Sequence, residues 1–239
     1  MSILTKVYQA TDIGTTRPTN EDSLACIEPD TYIVADGMGG HAAGEVASRI
    51  LVDTARAVLA PDTVYSEQIL REAVLQANRA MLEAIRQHPE YTGMGTTATL
   101  FHREHERGIW AHVGDSRLYL LHQDCLQQIT RDHSLVSDLV DNGSITPAEA
   151  RVHPRRNVLT RAVGVEADLT VDTGSFPLQS GDMVLLCSDG LTTVLPDTAI
   201  RQILQDEQVV DKADALVKHA LAAQSHDNIT AIVVMMYDA

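Results

Sequence analysis

The stretch that decides the fold is TYIVADGMGGHAAGE, residues 31–45, in which an apolar run ends at an aspartate and a glycine-rich turn follows. The strand formers before Asp36 predict a buried strand, and residues 42–59 predict a helix. Asp36 is therefore expected at a strand end, held by a rigid element yet open to solvent, as suits a metal ligand or a catalytic base. The alternative is an ordinary strand-to-helix turn with an aspartate near a helix N-terminus.

The composition restricts the class of protein. A chain of 239 residues, 44% of them hydrophobic, can bury a substantial core. Without a linker or a repeat, a single domain over residues 1–239 is predicted. The net charge of -15 argues against nucleic acid as a partner. Neither a signal peptide nor a membrane span of roughly 18 apolar residues is recognisable, so a cytoplasmic protein is expected.

The three cysteines indicate no special chemistry. Cys26, Cys125 and Cys187 are odd in number, far apart and without a CxxC pair. They are expected to be buried thiols, not a disulfide framework or a zinc site.

Periodicity predicts helices first and strands afterwards. Residues 44–59 and 66–88 have helical patterns that predict a helical layer. Residues 95–124 alternate strand formers with polar residues, as in an antiparallel meander. Within them, the charges around His102 and His105 favour a solvated hairpin turn over a metal site. The polar segment 134–160 predicts a flap over the surface, with an ordinary long loop as the alternative.

Five aspartates stand at or beside predicted strand ends: Asp22, Asp36, Asp115, Asp189 and Asp227. If these ends meet at one edge of a sheet sandwich, the carboxylates raise one another's pKa strongly. Hard divalent ions with oxygen ligands would relieve that repulsion, and the lack of cysteine pairs or paired histidines favours Mg²⁺ or Mn²⁺ over zinc. Two ions sharing a carboxylate would suit the hydrolysis of a phosphate ester.

Seven ordered motifs resemble bacterial members of the metal-dependent protein phosphatase family, protein phosphatase type 2C. They are TDIGTTRPTNED, YIVADGMGGHAAGE, GMGTTATL, AHVGDSRLYL, ITRDHSLV, LLCSDGLTT and HDNITAIVV. The resemblance implies an α+β fold, a four-layer α/β/β/α sandwich of two antiparallel sheets flanked by helices. It also implies a monomeric enzyme that hydrolyses phosphoserine and phosphothreonine in phosphorylated proteins, including a Ser/Thr kinase or its substrates.

The resemblance further implies which residues would hold the metal ions. Asp36 would bridge two ions, with the Gly37 carbonyl on the second ion and Asp189 and Asp227 on the first. Bacterial members often bind a third ion, and its expected ligands are Asp115 and Asp189. Glu21 and Asp22 would act at the second ion or through its water shell.

The remaining implied roles concern catalysis. Arg17 matches the phosphate-binding arginine, since its planar fork of donors can hold two phosphate oxygens at once. Asn228 would orient the metal ligands without contacting the ions itself. Two roles are possible for His41: a general acid, or a structural residue that forms hydrogen bonds. The implied reaction is direct hydrolysis, in which a water or hydroxide bridging two ions roughly 3.5–4 Å apart attacks phosphorus in line.

Two other classes of function remain to be weighed. Gly37, Gly39 and Ala42 fit a GxGxxA dinucleotide fingerprint with Asp53 as a ribose partner, which would indicate an oxidoreductase. The second is a catalytically silent scaffold that binds a phosphoprotein. A complete set of metal-ligating residues argues against it, because a binding module needs none.

Overall fold

The computed structural model describes residues 3–40, 43–60 and 64–238. Its strands are β1 (Ile3–Asp12), β2 (Asp22–Ile27), β3 (Thr31–Met38), β4 (Gly95–Thr96), β5 (Ala98–Glu104), β6 (Arg107–Val113), β7 (Arg117–His122), β8 (Cys125–Gln128), β9 (Asp172–Pro177), β10 (Met183–Cys187) and β11 (Ile229–Asp238). Its helices are α1 (Ala43–Val58), α2 (Glu67–Gln87), α3 (Leu135–Asp141), α4 (Pro147–Arg151), α5 (Asp189–Thr192), α6 (Asp197–Gln205) and α7 (Lys212–Ala222).

The strands form two sheets that lie face to face. The five-stranded sheet has the order β1-β11-β10-β7-β8, and the six-stranded sheet has the order β2-β3-β5-β6-β9 with β4 beside β3. Helices α1 and α2 cover the six-stranded sheet, and α6 and α7 cover the five-stranded one. The predicted four-layer α/β/β/α sandwich is therefore confirmed. Among the described residues, no helix is both long and apolar enough to cross a membrane.

The alternation of side chains along β3 explains why its sequence is continuously apolar. Ile33 and Ala35 pack in the core under α1 and α2, whereas Tyr32 and Val34 pack in the core between the sheets. Both faces of the strand are thus buried, so a polar side chain on either face needs a hydrogen-bond partner. The same alternation places Asp36 on the face that looks toward the other sheet.

The predicted meander over residues 95–124 is wrong at its centre. β5 and β6 pair in the six-stranded sheet, but β7 and β8 belong to the five-stranded sheet. The chain crosses between the sheets at Gly114, whose φ of 110° is unfavourable for a side chain. A Cβ at Gly114 would also lie 2.5 Å from the Thr97 side chain. The crossing is what brings the residue after Gly114 to the edge of the sandwich.

The dinucleotide-binding alternative is also wrong. Every strand pair among the described residues is antiparallel. A dinucleotide fold needs parallel strands joined by helices. Asp53, the suggested ribose partner, lies exposed on α1.

Two smaller expectations need correction. His102 is not in a solvated turn but buried in β5, where its ring stacks on Tyr65 at 3.5 Å and bonds to the Thr31 hydroxyl at 2.8 Å. Charged sequence neighbours therefore do not report its surroundings. Of the cysteines, only Cys187 is buried, and the other two are exposed.

Buried His102 predicts a pH-dependent stability. Burial lowers the pKa of His102 from 6.5 to about 4. Between these two pH values the imidazole is protonated in the unfolded chain but neutral in the folded chain. The free energy of unfolding should fall between pH 6.5 and pH 4, by at most about 1.4 kcal/mol per pH unit for this one group. In urea unfolding, the free energy of unfolding of His102→Gln should fall less steeply with decreasing pH than that of the parent. The other titratable groups are the same in both proteins, so their contributions cancel in the comparison. Equal slopes in the two proteins would contradict the prediction.

Candidate active site

Four polar side chains continue the inward faces of the strands at one edge of the sandwich. Asp36 follows Val34 on β3, and Asp22 lies directly opposite it on β2. From the other sheet, Ser188 follows β10 and Thr230 lies on β11, both on the face that packs between the sheets. The apolar core between the sheets thus gives way to a polar cluster built from both of them.

The backbone of Asp36 is fixed by two threonines. Its N–H donates to Thr97 Oγ1 at 2.9 Å, and its carbonyl accepts from Thr96 Oγ1 and from the Thr97 N–H, each at 2.9 Å. Both threonines are buried, as expected of core strand residues. They also hold the strand end on which Asp36 sits.

Asp22 joins the two sheets through its carboxylate. Its Oδ2 accepts from Ser188 Oγ at 2.8 Å and from Thr230 Oγ1 at 2.6 Å, while its Oδ1 is buried without a hydrogen-bond partner. Ser188 and Thr230 were not predicted from the sequence. Their positions could have indicated a role, because Ser188 directly precedes Asp189 in LLCSDG and Thr230 lies two residues after Asn228 in HDNIT.

The carboxylates form one electrostatic cluster. Burial raises the pKa of Asp22 to about 6 and that of Asp115 to about 7. Burial, and then repulsion from the neighbouring aspartates, raises the pKa of Asp36 and of Asp189 well above the usual range. The predicted convergence of Asp22, Asp36, Asp115, Asp189 and Asp227 is visible in these mutual effects.

The described side chains of the cluster do not form a complete metal-coordination site. Over residues 3–40, 43–60 and 64–238, no three His, Cys, Asp or Glu side chains are placed to hold one ion. The shared burial and repulsion of the aspartates define the site, because strand positions are fixed whereas side-chain torsions adjust easily.

Arg17 forms an ion pair with one member of this cluster. Its Nη2 donates to Asp227 Oδ2 at 2.8 Å, and about half of its side chain is exposed. That hydrogen bond raises the pKa of Arg17, and burial raises the pKa of the neighbouring Glu21. The ion-pair partner of Arg17 is thus Asp227.

Close backbone contacts explain the glycine at position 37. A Cβ at Gly37 would lie 2.0 Å from the Gly44 carbonyl oxygen and 2.5 Å from the Glu21 carbonyl oxygen. The Gly37 N–H donates to that Glu21 oxygen at 3.2 Å. The loop that carries Glu21 is therefore packed against the start of α1. His41 lies outside the described residues.

Asn228 ties the loop before β2 to the start of β11. Its Oδ1 accepts from the Glu21 N–H at 2.8 Å, and its Nδ2 donates to the carbonyls of Ile13 at 2.9 Å and Thr19 at 3.0 Å. Asp227 lies directly before it. One buried amide thus fixes the loop that carries Arg17 and Glu21 relative to Asp227.

Replacing Asn228 should therefore destabilise the protein. Asn228→Ala leaves three backbone groups without their partner, and an unsatisfied buried group costs about 1–3 kcal/mol. Some will find water, so a loss of about 2–4 kcal/mol is expected in urea unfolding. Asn228→Asp keeps the acceptor but loses the donors, and should fall between Asn228→Ala and the parent. A parent-like midpoint for the alanine variant would show that these bonds contribute nothing.

Asp115 lies at the side of the cluster, beyond the crossing at Gly114. Arg117, two residues further on, donates three hydrogen bonds to the Asp132 carboxylate at 2.7–3.1 Å. This arginine is therefore already paired. A cavity of about 510 Å³ opens beside Asp115 and Asp189.

Comparisons with known proteins agree with this architecture. A sequence model of the family described as protein phosphatase 2C matches residues 16–232. The serine/threonine phosphatase stp of Listeria monocytogenes is 40% identical over 234 residues, which cover 94% of this chain and 93% of that protein. The solved structure of the Mycobacterium tuberculosis serine/threonine phosphatase PstP/Ppp has a TM-score of 0.92 at 37% identity, covering 98% of this chain and 99% of that one.

A second solved structure bears on the carboxylate cluster. The catalytic domain of PstP in complex with two manganese ions has a TM-score of 0.89 at 37% identity, covering 99% of this chain and 100% of that one. Sequence and fold therefore agree over nearly the whole chain. The chain belongs to the protein phosphatase 2C family.

Proposed function

We propose that this chain is a metal-dependent protein phosphatase that hydrolyses phosphoserine and phosphothreonine. The observation that carries the proposal is the buried cluster of aspartates at the edge where the two sheets meet. Family membership and the names of the relatives support the same activity.

The residues present fit hard divalent ions. Asp22 Oδ1 is a buried carboxylate oxygen without a partner, which is the kind of atom that an ion or its water shell satisfies. The donors are oxygens throughout, as Mg²⁺ and Mn²⁺ prefer. Asp36, the Gly37 carbonyl, Asp189 and Asp227 would hold two ions, and Asp115 with Asp189 would hold a third. When bound, such ions acidify water and neutralise charge on phosphate.

The protein's own groups would orient the phosphate and handle protons. Arg17, held by Asp227 at the rim of the cluster, would bind phosphate oxygens through its guanidinium. A water oxygen would form the new bond to phosphorus as the ester bond to the seryl or threonyl oxygen breaks. Asp22 Oδ1, which Ser188 and Thr230 leave free, would take a proton from that water, and the same proton would then go to the leaving seryl or threonyl oxygen. Glu21 would act beside it, and Asn228 would position both.

A cysteine nucleophile is the main chemical alternative for a phosphatase. Burial raises the pKa of Cys187 to about 12, so its thiol is protonated at neutral pH. Cys26 and Cys125 are exposed, Cys26 four residues beyond Asp22 near the other end of β2 and Cys125 at the start of β8. The described residues thus favour attack by water.

The test is release of phosphate from a phosphothreonine peptide by purified protein, before and after chelation with EDTA and again after excess Mn²⁺ or Mg²⁺. Activity should be lost on chelation and restored by the ions. Full turnover in a demonstrably metal-free sample would exclude the proposal. A protein that binds the phosphopeptide without ever releasing phosphate would instead be the silent scaffold.

Three finer features stay predictions. The physiological substrates are expected to be phosphorylated proteins, including a Ser/Thr kinase or its targets. Segment 134–160, which we call the flap, contains α3 and α4, and a bridge between Ser134 and Leu159 closes its base. A cytoplasmic monomer is the expected state, and gel filtration and cell fractionation would check it.

A further inference from the structure

Most cationic side chains of this acidic protein are already engaged. The chain has 18 Lys and Arg residues and a net charge of -15. Among the described Lys and Arg residues, only four have side chains without a hydrogen bond, an ion pair or a cation–π contact: Arg56, Arg151, Arg155 and Arg156. Three of the four lie in the flap, within six residues of one another.

Two of these arginines face the cavity beside the aspartate cluster. Arg151, at the end of α4, and Arg156 line the cavity of about 510 Å³, whereas Arg155 does not. Asp115 and Asp189 line the same cavity. One cavity therefore joins two aspartates of the proposed reaction centre and two arginines without a carboxylate partner.

The other arginines that line the cavity are already paired. Arg117 is bound to Asp132, and Arg131 to Asp138 and Asp141 of α3. Besides Asp132, the carboxylates of the lining are Asp115, Asp189 and Asp197. Arg151 and Arg156 are therefore the two cations of the lining that no carboxylate engages, in a protein whose overall field repels anions.

We propose that the cavity is a subsite for the acidic residues that flank the phosphorylated residue in the substrate, with Arg151 and Arg156 binding their carboxylates. This rests on the proposed phosphatase activity and adds a substrate class to it. An arginine fork suits a carboxylate, and its free exposed state lets it pair without breaking a bond inside the protein. A neutral or basic flank would find no such partner there. The flap thus selects phosphoproteins with aspartate or glutamate near the phosphorylated residue.

The test compares three substrates on three proteins. The substrates are a phosphothreonine peptide with glutamates beside the phosphorylated residue, the same peptide with glutamines, and a small aryl phosphate that has no flank. The proteins are the parent, the double variant Arg151→Gln/Arg156→Gln, and Arg155→Gln as a matched control from the same exposed loop. Thermal unfolding checks that the variants stay folded. We expect parent-like melting temperatures, because the replaced side chains make no hydrogen bond or ion pair in the folded protein.

The parent should prefer the glutamate peptide, with kcat/KM about tenfold above that of the glutamine peptide at low salt. The double variant should lose this preference, mainly through KM, and keep its rate on the aryl phosphate. Arg155→Gln should behave as the parent. High salt should weaken the parent's preference and leave the double variant unchanged.

Three results would overturn the inference: a parent without preference, a double variant that keeps it, or an equal loss in Arg155→Gln. Each of these leaves the phosphatase proposal intact if the aryl phosphate is hydrolysed. No hydrolysis of any of the three substrates with Mn²⁺ present would overturn both proposals together.

Discussion

Asp36→Asn is expected to lose at least about 10³-fold in turnover while remaining folded. The proposed ions share this carboxylate, and they supply several kcal/mol of charge stabilisation, each 1.36 kcal/mol being a factor of ten in rate. The amide has nearly the shape of the carboxylate, so the bonds from Thr96 and Thr97 to the backbone are kept. Phosphate release from a phosphothreonine peptide at saturating Mn²⁺ measures the loss.

The same substitution should raise stability when no metal is present. Burial and repulsion from the neighbouring aspartates oppose the ionised form of Asp36, and the neutral amide removes both effects. The melting temperature in EDTA is expected to be equal to or above that of the parent, while Mn²⁺ should no longer raise it. Asp53→Asn on the exposed face of α1 is the matched control, with parent-like rate and stability. Near-normal turnover in Asp36→Asn would exclude Asp36 as the shared ligand.

Arg17→Ala is expected to lower kcat/KM by about 10²-fold without abolishing metal binding. A charge-assisted hydrogen bond to phosphate is worth about 1.5–3 kcal/mol, which sets this magnitude. If the arginine holds substrate and transition state equally, the loss appears mainly in KM. Arg17→Lys should recover only part of the loss, because an ammonium keeps the charge but not the two-pronged geometry. Steady-state kinetics on the phosphopeptide separates these cases.

Metal affinity needs a parallel measurement, since Arg17 donates to Asp227. Removing the arginine frees a carboxylate that is a proposed ligand, so calorimetry should find Mn²⁺ bound at least as tightly as in the parent. An unchanged kcat/KM in Arg17→Ala would leave the residue as an exposed partner of Asp227, a pairing worth at most about 1 kcal/mol.

Local patterns in the sequence predicted the strand and the helix around Asp36. Residues 31–36 have an apolar run followed by an aspartate, and this is visible without any tertiary contact. The ordered motifs resembled one family, and that resemblance implied the four layers. The unbroken apolar run predicted a buried strand, and β3 is buried on both faces.

The sequence did not predict contacts between distant segments. Alternation does not say which sheet a strand joins, so the crossing at Gly114 was read as a hairpin. His102 was misjudged because its charged neighbours precede a turn, whereas its ring partner Tyr65 comes from another part of the chain. Ser188 and Thr230 were missed for the same reason, since their role exists only once Asp22 lies between them.

The hydrogen bonds that Ser188 and Thr230 donate to Asp22 make the proposed reaction centre a joint between the two sheets. One sheet supplies Asp22 and Asp36, and the other supplies the two hydroxyls that hold Asp22, so neither sheet carries a complete centre. A displacement of one sheet relative to the other would break these bonds, because they need the oxygens to stay 2.6–2.8 Å apart. Catalytic activity is therefore a direct gauge of sheet alignment, and it should vanish as soon as heat or denaturant lets the sheets slide, even where each sheet still has its strands paired.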